Sequence, residues 1–127
     1  LAISTDITKI ECDPMRLRQV LENLIGNALK FTTSGYVRVT VGCGELADGR
    51  DAVHIQIWDT GPGIPDNEKD SIFNEFYRVA DQRAVSGTGL GLSISAKLIE
   101  RHSGSLWVES IVGEGSTFHL LLPRERS

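Results

Sequence analysis

Leu17-Arg-Gln-Val20-Leu21-Glu-Asn23-Leu24-Ile-Gly-Asn27-Ala28-Leu-Lys30-Phe31 decides the fold, because it carries two stripes at once. At about 100° per residue, Leu17, Leu21, Leu24, Ala28 and Phe31 share roughly a third of a helix circumference, with Val20 beside them. That is a core face. Asn23, Asn27 and Lys30 form a second stripe on its flank. Most such stripes are solvated. Here two asparagines, mediocre helix formers, stand one turn apart, and the polar stripe abuts the apolar one instead of opposing it. An amide carbonyl is a hard oxygen ligand suited to Mg²⁺, whose other ligands are waters and phosphates. A lysine one turn further on suits a phosphate.

On the N-terminal side, Asp13-Pro14 reads as a helix start, with Asp as cap and Pro at the first helical position. Residues 9–12 read as a short strand, paired with residues 1–3. On the C-terminal side, Thr32-Thr33-Ser34-Gly35 ends the helix. Val37, Val39 and Val41 then alternate as a half-buried strand. Residues 42–51 are polar and carry Asp48-Gly49, a hairpin signal. Val53, Ile55 and Ile57 make the next strand. A long, poorly periodic stretch from 60 to 89 follows, as expected of a functional loop, with residues 65–76 helical in part. Residues 90–102 form an amphipathic helix with Leu92, Ala96 and Ile99 on one side. Strands at 105–110 and 116–122 follow, with Gly113 and Gly115 in the turn between them. The tally of about five or six strands and three helices predicts a two-layer α/β sandwich.

The 127 residues amount to one domain. With 40% hydrophobic and 24% charged residues the chain reads as globular. Its net charge of −4 argues against nucleic acid, which calls for a basic face. Cys12 and Cys43 show no metal-type spacing and read as reduced thiols. No apolar run reaches the roughly 18 residues of a membrane span.

Asp59 falls on the inward parity of Val53, Ile55 and Ile57, so a carboxylate stands where an apolar side chain is expected. A buried charge needs hydrogen bonds. Asp59 either caps the turn through Gly61 and Gly63 or accepts from a ligand amino group such as that of adenine. Gly87-Thr88-Gly89-Leu90-Gly91-Leu92 runs into the last helix, and a glycine-rich turn feeding a helix N-terminus suits an anion. It is neither a Walker A motif nor a dinucleotide fingerprint.

Together these pieces resemble the catalytic domain of sensor histidine kinases, within the superfamily of gyrase B, heat-shock chaperones and mismatch-repair ATPases. Asn23 to Phe31 resembles the N box, and Asp59-Thr-Gly61-Pro-Gly63-Ile64 the first glycine box. Phe73-Asn-Glu-Phe76-Tyr77-Arg78 resembles the F box, and Gly87 to Leu92 the second glycine box. Gly113-Glu-Gly115-Ser116-Thr117-Phe118 resembles the closing strand turn. The resemblance implies the Bergerat ATP-binding fold, a mixed, mostly antiparallel sheet of about five strands on three helices. It spans residues 1–127, with an ATP lid over about 65–86 anchored by Phe73 and Phe76.

The resemblance also implies roles. Asn27 would ligate Mg²⁺, Asn23 would position metal or phosphates, and Lys30 and Arg78 would meet phosphates. Phe31 would pack beside adenine, with Gly61, Gly63 and Ile64 lining the site and Asp59 reading the adenine amino group. The backbone of Gly87, Thr88, Gly89, Leu90, Gly91 and Leu92 would hold phosphates, and Thr117 would support adenine through water. The implied reaction takes the γ-phosphoryl group of Mg-ATP to a histidine on a separate dimerisation domain, and a response-regulator receiver domain acts downstream. The implied setting is cytoplasmic, without direct membrane contact by this domain.

Related ATPases carry a Glu where this chain has Asn23, and an amide is no general base. Glu22 points about 100° away. Hydrolysis is therefore expected to be slow. His54, His102 and His119 do not fit a phospho-acceptor: the first lies on an outward strand parity, the second ends a helix, and the third is on the final strand. The competing readings are a hydrolysing member of the superfamily, a protein-serine kinase such as an anti-sigma factor, and a nucleotide-binding regulatory module without transfer.

Overall fold

The stripe around Val20 becomes the buried face of α1 (Pro14–Phe31). Val20, Leu24 and Ala28 are almost fully buried, and Leu17, Leu21 and Ile25 pack at the edge of the core. Complete burial of a Val or Leu side chain stabilises by roughly 1.5–3 kcal/mol. The computed structural model describes residues 14–32, 34–69, 71–73 and 91–123. The strand expected at 9–12 and the residues proposed to pair with it lie outside these.

β1 (Val37–Glu45) and β2 (Asp51–Asp59) form an antiparallel hairpin in continuous register from Val37↔Asp59 to Glu45↔Asp51. The strand thus runs on through Gly42, Cys43 and Gly44, which the sequence reading leaves in a polar connection. Pairing with β2 supplies ladder partners that local composition does not reveal. Only residues 46–50 turn, closed by Leu46 N–H donating to the Arg50 carbonyl at 2.9 Å.

β3 (Ser105–Ile111) and β4 (Gly115–Pro123) complete a sheet of order β1-β2-β4-β3, antiparallel at every junction. The described sheet therefore has four strands and no parallel pair, against an expectation of about five in a mixed sheet. β4 follows β3 in the chain yet sits between β2 and β3. Alternate residues of the central strands, Val53, Ile55 and Ile57 with Phe118, Leu120 and Leu122, face the helices and form the core.

α2 (Gly91–Arg101) packs beside α1. Its buried line runs through Ser95 and Ile99, while Ala96, expected on the core side, is only half-buried. Ser93 is buried as well, and the Ser95 hydroxyl has a partner on α1, described below. The third helix expected around 65–76 is, in its described part, two single 3₁₀ turns, Asp66–Glu68 and Ser71–Phe73. Ile72 is buried, and the Phe73 ring meets Phe118 edge-to-face at 6.3 Å and 80°. Among the described residues no helix is long and apolar enough to cross a membrane.

Candidate functional site

Asp59 ends β2 on the helix side of the sheet, as its parity predicts, and is half-buried. Its Oδ1 accepts from Gly61 N–H at 2.9 Å, so the carboxylate does cap the glycine turn. Removal from water pushes its pKa above the ordinary carboxylate value, opposed by backbone hydrogen bonds from Gly61 and Ser116. Capping and ligand recognition are therefore compatible, since a carboxylate has a second oxygen.

The C-terminal end of α1 abuts this turn. A Cβ placed on Gly61 would stand 3.0 Å from Asp59 Oδ1, 3.2 Å from the Phe31 carbonyl oxygen and 3.4 Å from Thr32 Oγ1. Two stretches nearly thirty residues apart thus meet with no room for a side chain. Thr32 Oγ1 is buried there without a hydrogen-bond partner. An orphaned hydroxyl facing a carboxylate turn fits a polar ligand. Sequence reading treats Thr32 as part of a helix stop, and only its burial singles it out.

The far side of the turn is strapped to the β3–β4 connection. Ile64 N–H donates to Ser110 Oγ at 2.7 Å, and Ser110 Oγ stands 2.7 Å from Ser116 Oγ and 3.0 Å from the Gly115 carbonyl. Gly113 N–H donates to the Pro62 carbonyl at 2.9 Å. Gly115, at φ 134°, lies where a Cβ would come within 2.0 Å of the Asp59 carbonyl oxygen, and Gly63, at φ 80°, lies against the Ile111 carbonyl. Ile64 also packs on the core. The first glycine turn is thus held between α1 and the β3–β4 connection.

Register corrects one expected position. Ser116 pairs with Asp59 across the β2–β4 ladder. Thr117 pairs with Trp58 and Glu109, on the opposite face of the sheet, so Ser116 and not Thr117 stands beside Asp59. Strand parity would have required the β2–β4 register, which sequence alone does not supply.

On α1, Asn23 and Asn27 are half-buried and Lys30 is exposed in the last turn. Asn23 Nδ2 donates to Ser95 Oγ of α2 at 3.0 Å, which fixes the amide plane and turns its carbonyl away from α2. Ser95 is a positioning residue that sequence reading missed, because serine on an amphipathic helix reads as surface. Gly91 and Leu92 open α2, consistent with a helix N-terminus following the second glycine run. Arg78, Gly87, Thr88, Gly89 and Leu90 lie outside the described residues, as does Phe76.

The site thus joins a half-buried carboxylate, a strapped glycine turn and an asparagine-bearing helix. Residues 12–126 match the model of the histidine kinase-, DNA gyrase B-, and HSP90-like ATPase family. The chain belongs to that family. It is similar to sensor histidine kinases. Adaptive-response sensory kinase SasA of Synechococcus sp. (strain JA-3-3Ab) is 38% identical over 122 residues, 95% of this chain and 31% of that protein. Full-length ShkA, solved in complex with AMPPNP, superposes with TM-score 0.75 at 32% identity, over 93% of this chain and 24% of that one. The nucleotide-free catalytic domain of histidine kinase ThkA gives TM-score 0.68 at 34% identity, over 91% and 70%. The chain thus spans about a third of the length of the sensory kinases it matches, and corresponds to their ATP-binding catalytic domain.

Proposed function

We propose that this domain binds Mg-ATP and donates its γ-phosphoryl group to a histidine on a separate dimerisation domain, from which a response-regulator receiver domain takes it. The observation that carries the reading is Asp59, a half-buried carboxylate with one oxygen held by Gly61. The other is suited to accept from the adenine amino group. The orphaned Thr32 hydroxyl beside it supports a polar ligand in the same place.

Asn27 would offer its carbonyl to Mg²⁺, with Asn23, held by Ser95, orienting the phosphate end. Among the described residues there is no cluster of three or more His, Cys, Asp or Glu to cage a metal. That fits an ion held by one amide oxygen with waters and phosphates, as Mg²⁺ prefers. When bound, Mg²⁺ would neutralise charge on the phosphates. Lys30 and Arg78 would add cations, and the backbone at the start of α2 would add N–H donors. Phosphoryl transfer asks for such positioning more than for covalent chemistry.

The test is calorimetric titration with a non-hydrolysable ATP analogue, with and without Mg²⁺, followed by supply of an acceptor domain. Metal-strengthened binding and phosphorylation of the acceptor are expected. Asn27→Ala is expected to abolish transfer. Full transfer by that variant would remove Asn27 from the metal role. Rapid steady-state ATP hydrolysis with no acceptor present would favour the hydrolysing alternative.

A further inference from the structure

The face of the sheet turned away from α1 and α2 carries both tryptophans and two of the three histidines of the chain. The nucleotide site uses none of them. His54 on β2 and His119 on β4 are diagonal neighbours, since His54 pairs with Leu121 and Gln56 with His119. Their near nitrogens, His54 Nε2 and His119 Nδ1, converge to 2.8 Å. The ring centroids are 5.0 Å apart with 22° between planes, which at that N···N distance places the rings edge to edge. Trp107 lies parallel to His119 at 4.8 Å and 3°, and close to parallel to His54 at 5.8 Å and 19°, so one indole face sets both planes.

We propose that His54 and His119 form a two-imidazole site for a divalent transition-metal ion of the Zn²⁺, Ni²⁺ and Cu²⁺ class. Two nitrogens each about 2.0–2.1 Å from a metal, at angles between square and tetrahedral, stand about 2.9–3.4 Å apart. The observed 2.8 Å is a hydrogen-bond separation, so binding widens it into this range and turns each ring until both lone pairs meet at the ion, which replaces the proton the two rings now share.

A metal-ligating histidine donates its remote N–H to an acceptor, and each remote nitrogen here has a polar side chain beside it that can be turned to that task. Glu109 Oε1 lies 2.5 Å from His119 Nε2. The contact makes no hydrogen bond. We take the contact as an ion pair in waiting: an ion at Nδ1 polarises the Nε2–H bond and draws the exposed Glu109 side chain into line. At the other end, Gln56 Nε2 stands 3.5 Å from His54 Nδ1, and the amide has to turn its oxygen to that nitrogen to accept from the Nδ1–H of a ligating ring.

No third His, Cys, Asp or Glu joins the pair among the described residues. The remaining positions on the ion therefore go to water, reached from the half-exposed His54 side. Imidazole donors and the Irving–Williams order make Cu²⁺ the tightest probe and Zn²⁺ a spectroscopically silent competitor.

The test titrates the 127-residue chain with Cu²⁺ and follows tryptophan emission, since an ion between the two rings lies next to Trp107. One saturable equivalent of quenching, reversed by a chelator and shifted to higher Cu²⁺ by excess Zn²⁺, is expected. It should vanish in His54→Gln, whose half-exposed position tolerates the change, and in His119→Gln. It should persist in His102→Gln and Cys43→Ser, and weaken roughly tenfold in Glu109→Gln. Thermal unfolding of each variant without metal shows that the fold is intact. Quenching that survives His54→Gln in a folded protein, or that disappears with His102 or Cys43, overturns the proposal, as does the absence of a saturable equivalent. Nucleotide titration is a separate readout, so neither result bears on the phosphotransfer reading.

Discussion

Asp59 keeps a carboxylate half out of water, and the consequences differ between the free and the liganded domain. Its raised pKa means that the ionised form costs stability at neutral pH. That cost is present in full above the folded-state pKa and disappears as pH falls below the ordinary carboxylate value. Asp59→Asn keeps the shape and an acceptor for Gly61. The free variant should therefore melt at the same temperature as the parent at pH 7, or higher. ATP affinity should fall by about 1 kcal/mol or more, because a charged acceptor is lost. The parent should also bind ATP less tightly as acid protonates Asp59, a dependence the Asn variant lacks; calorimetry across pH separates the two. Thr32 offers a second residue-level test. Thr32→Val should leave the free domain as stable or about 1 kcal/mol more so, since its hydroxyl has no partner to lose. Weaker nucleotide binding by the same variant would place that hydroxyl against the ligand.

At the scale of elements, the part-buried Asn23–Ser95 hydrogen bond joins α1 to α2. Ser95→Ala leaves the Asn23 amide unpaired where Ser95 is only 2% exposed. A loss of about 1–2 kcal/mol in denaturant unfolding is expected, together with weaker Mg²⁺-dependent nucleotide binding because the amide is no longer held. This contact also shows what sequence can and cannot supply. The α1 stripes and the inward parity of Asp59 were legible because helix and strand periods are local geometry. Ser95, Ser110 and Ser116 were not. A serine is buried only when a distant partner satisfies its hydroxyl, and each of these partners comes from another element. The extension of β1 through its glycines was hidden for a similar reason, as the stabilising ladder belongs to β2.

For the whole molecule, the site is an agreement between remote segments more than a property of any motif. The resemblance sets Asn23 against a water-activating Glu of related ATPases, and on that reading the isolated domain should show steady-state hydrolysis close to background. A supplied acceptor domain should restore turnover as phosphorylation; coupled phosphate-release and phosphotransfer assays on one preparation distinguish these. The motif order was readable along the chain. That Ser116 and not Thr117 reaches Asp59 was readable only from the β2–β4 register.

The position of β4 between β2 and β3 has a consequence for synthesis. As the chain leaves the ribosome, the β1–β2 hairpin can close by itself, but β3 has no neighbour until β4 follows it. The strap that holds the first glycine turn also comes from the β3–β4 connection. A nascent chain stalled before Gly115 would carry Asp59 without the groups that fix its turn. Nucleotide would then be captured late in translation, after the central strand has slotted into a sheet already half made.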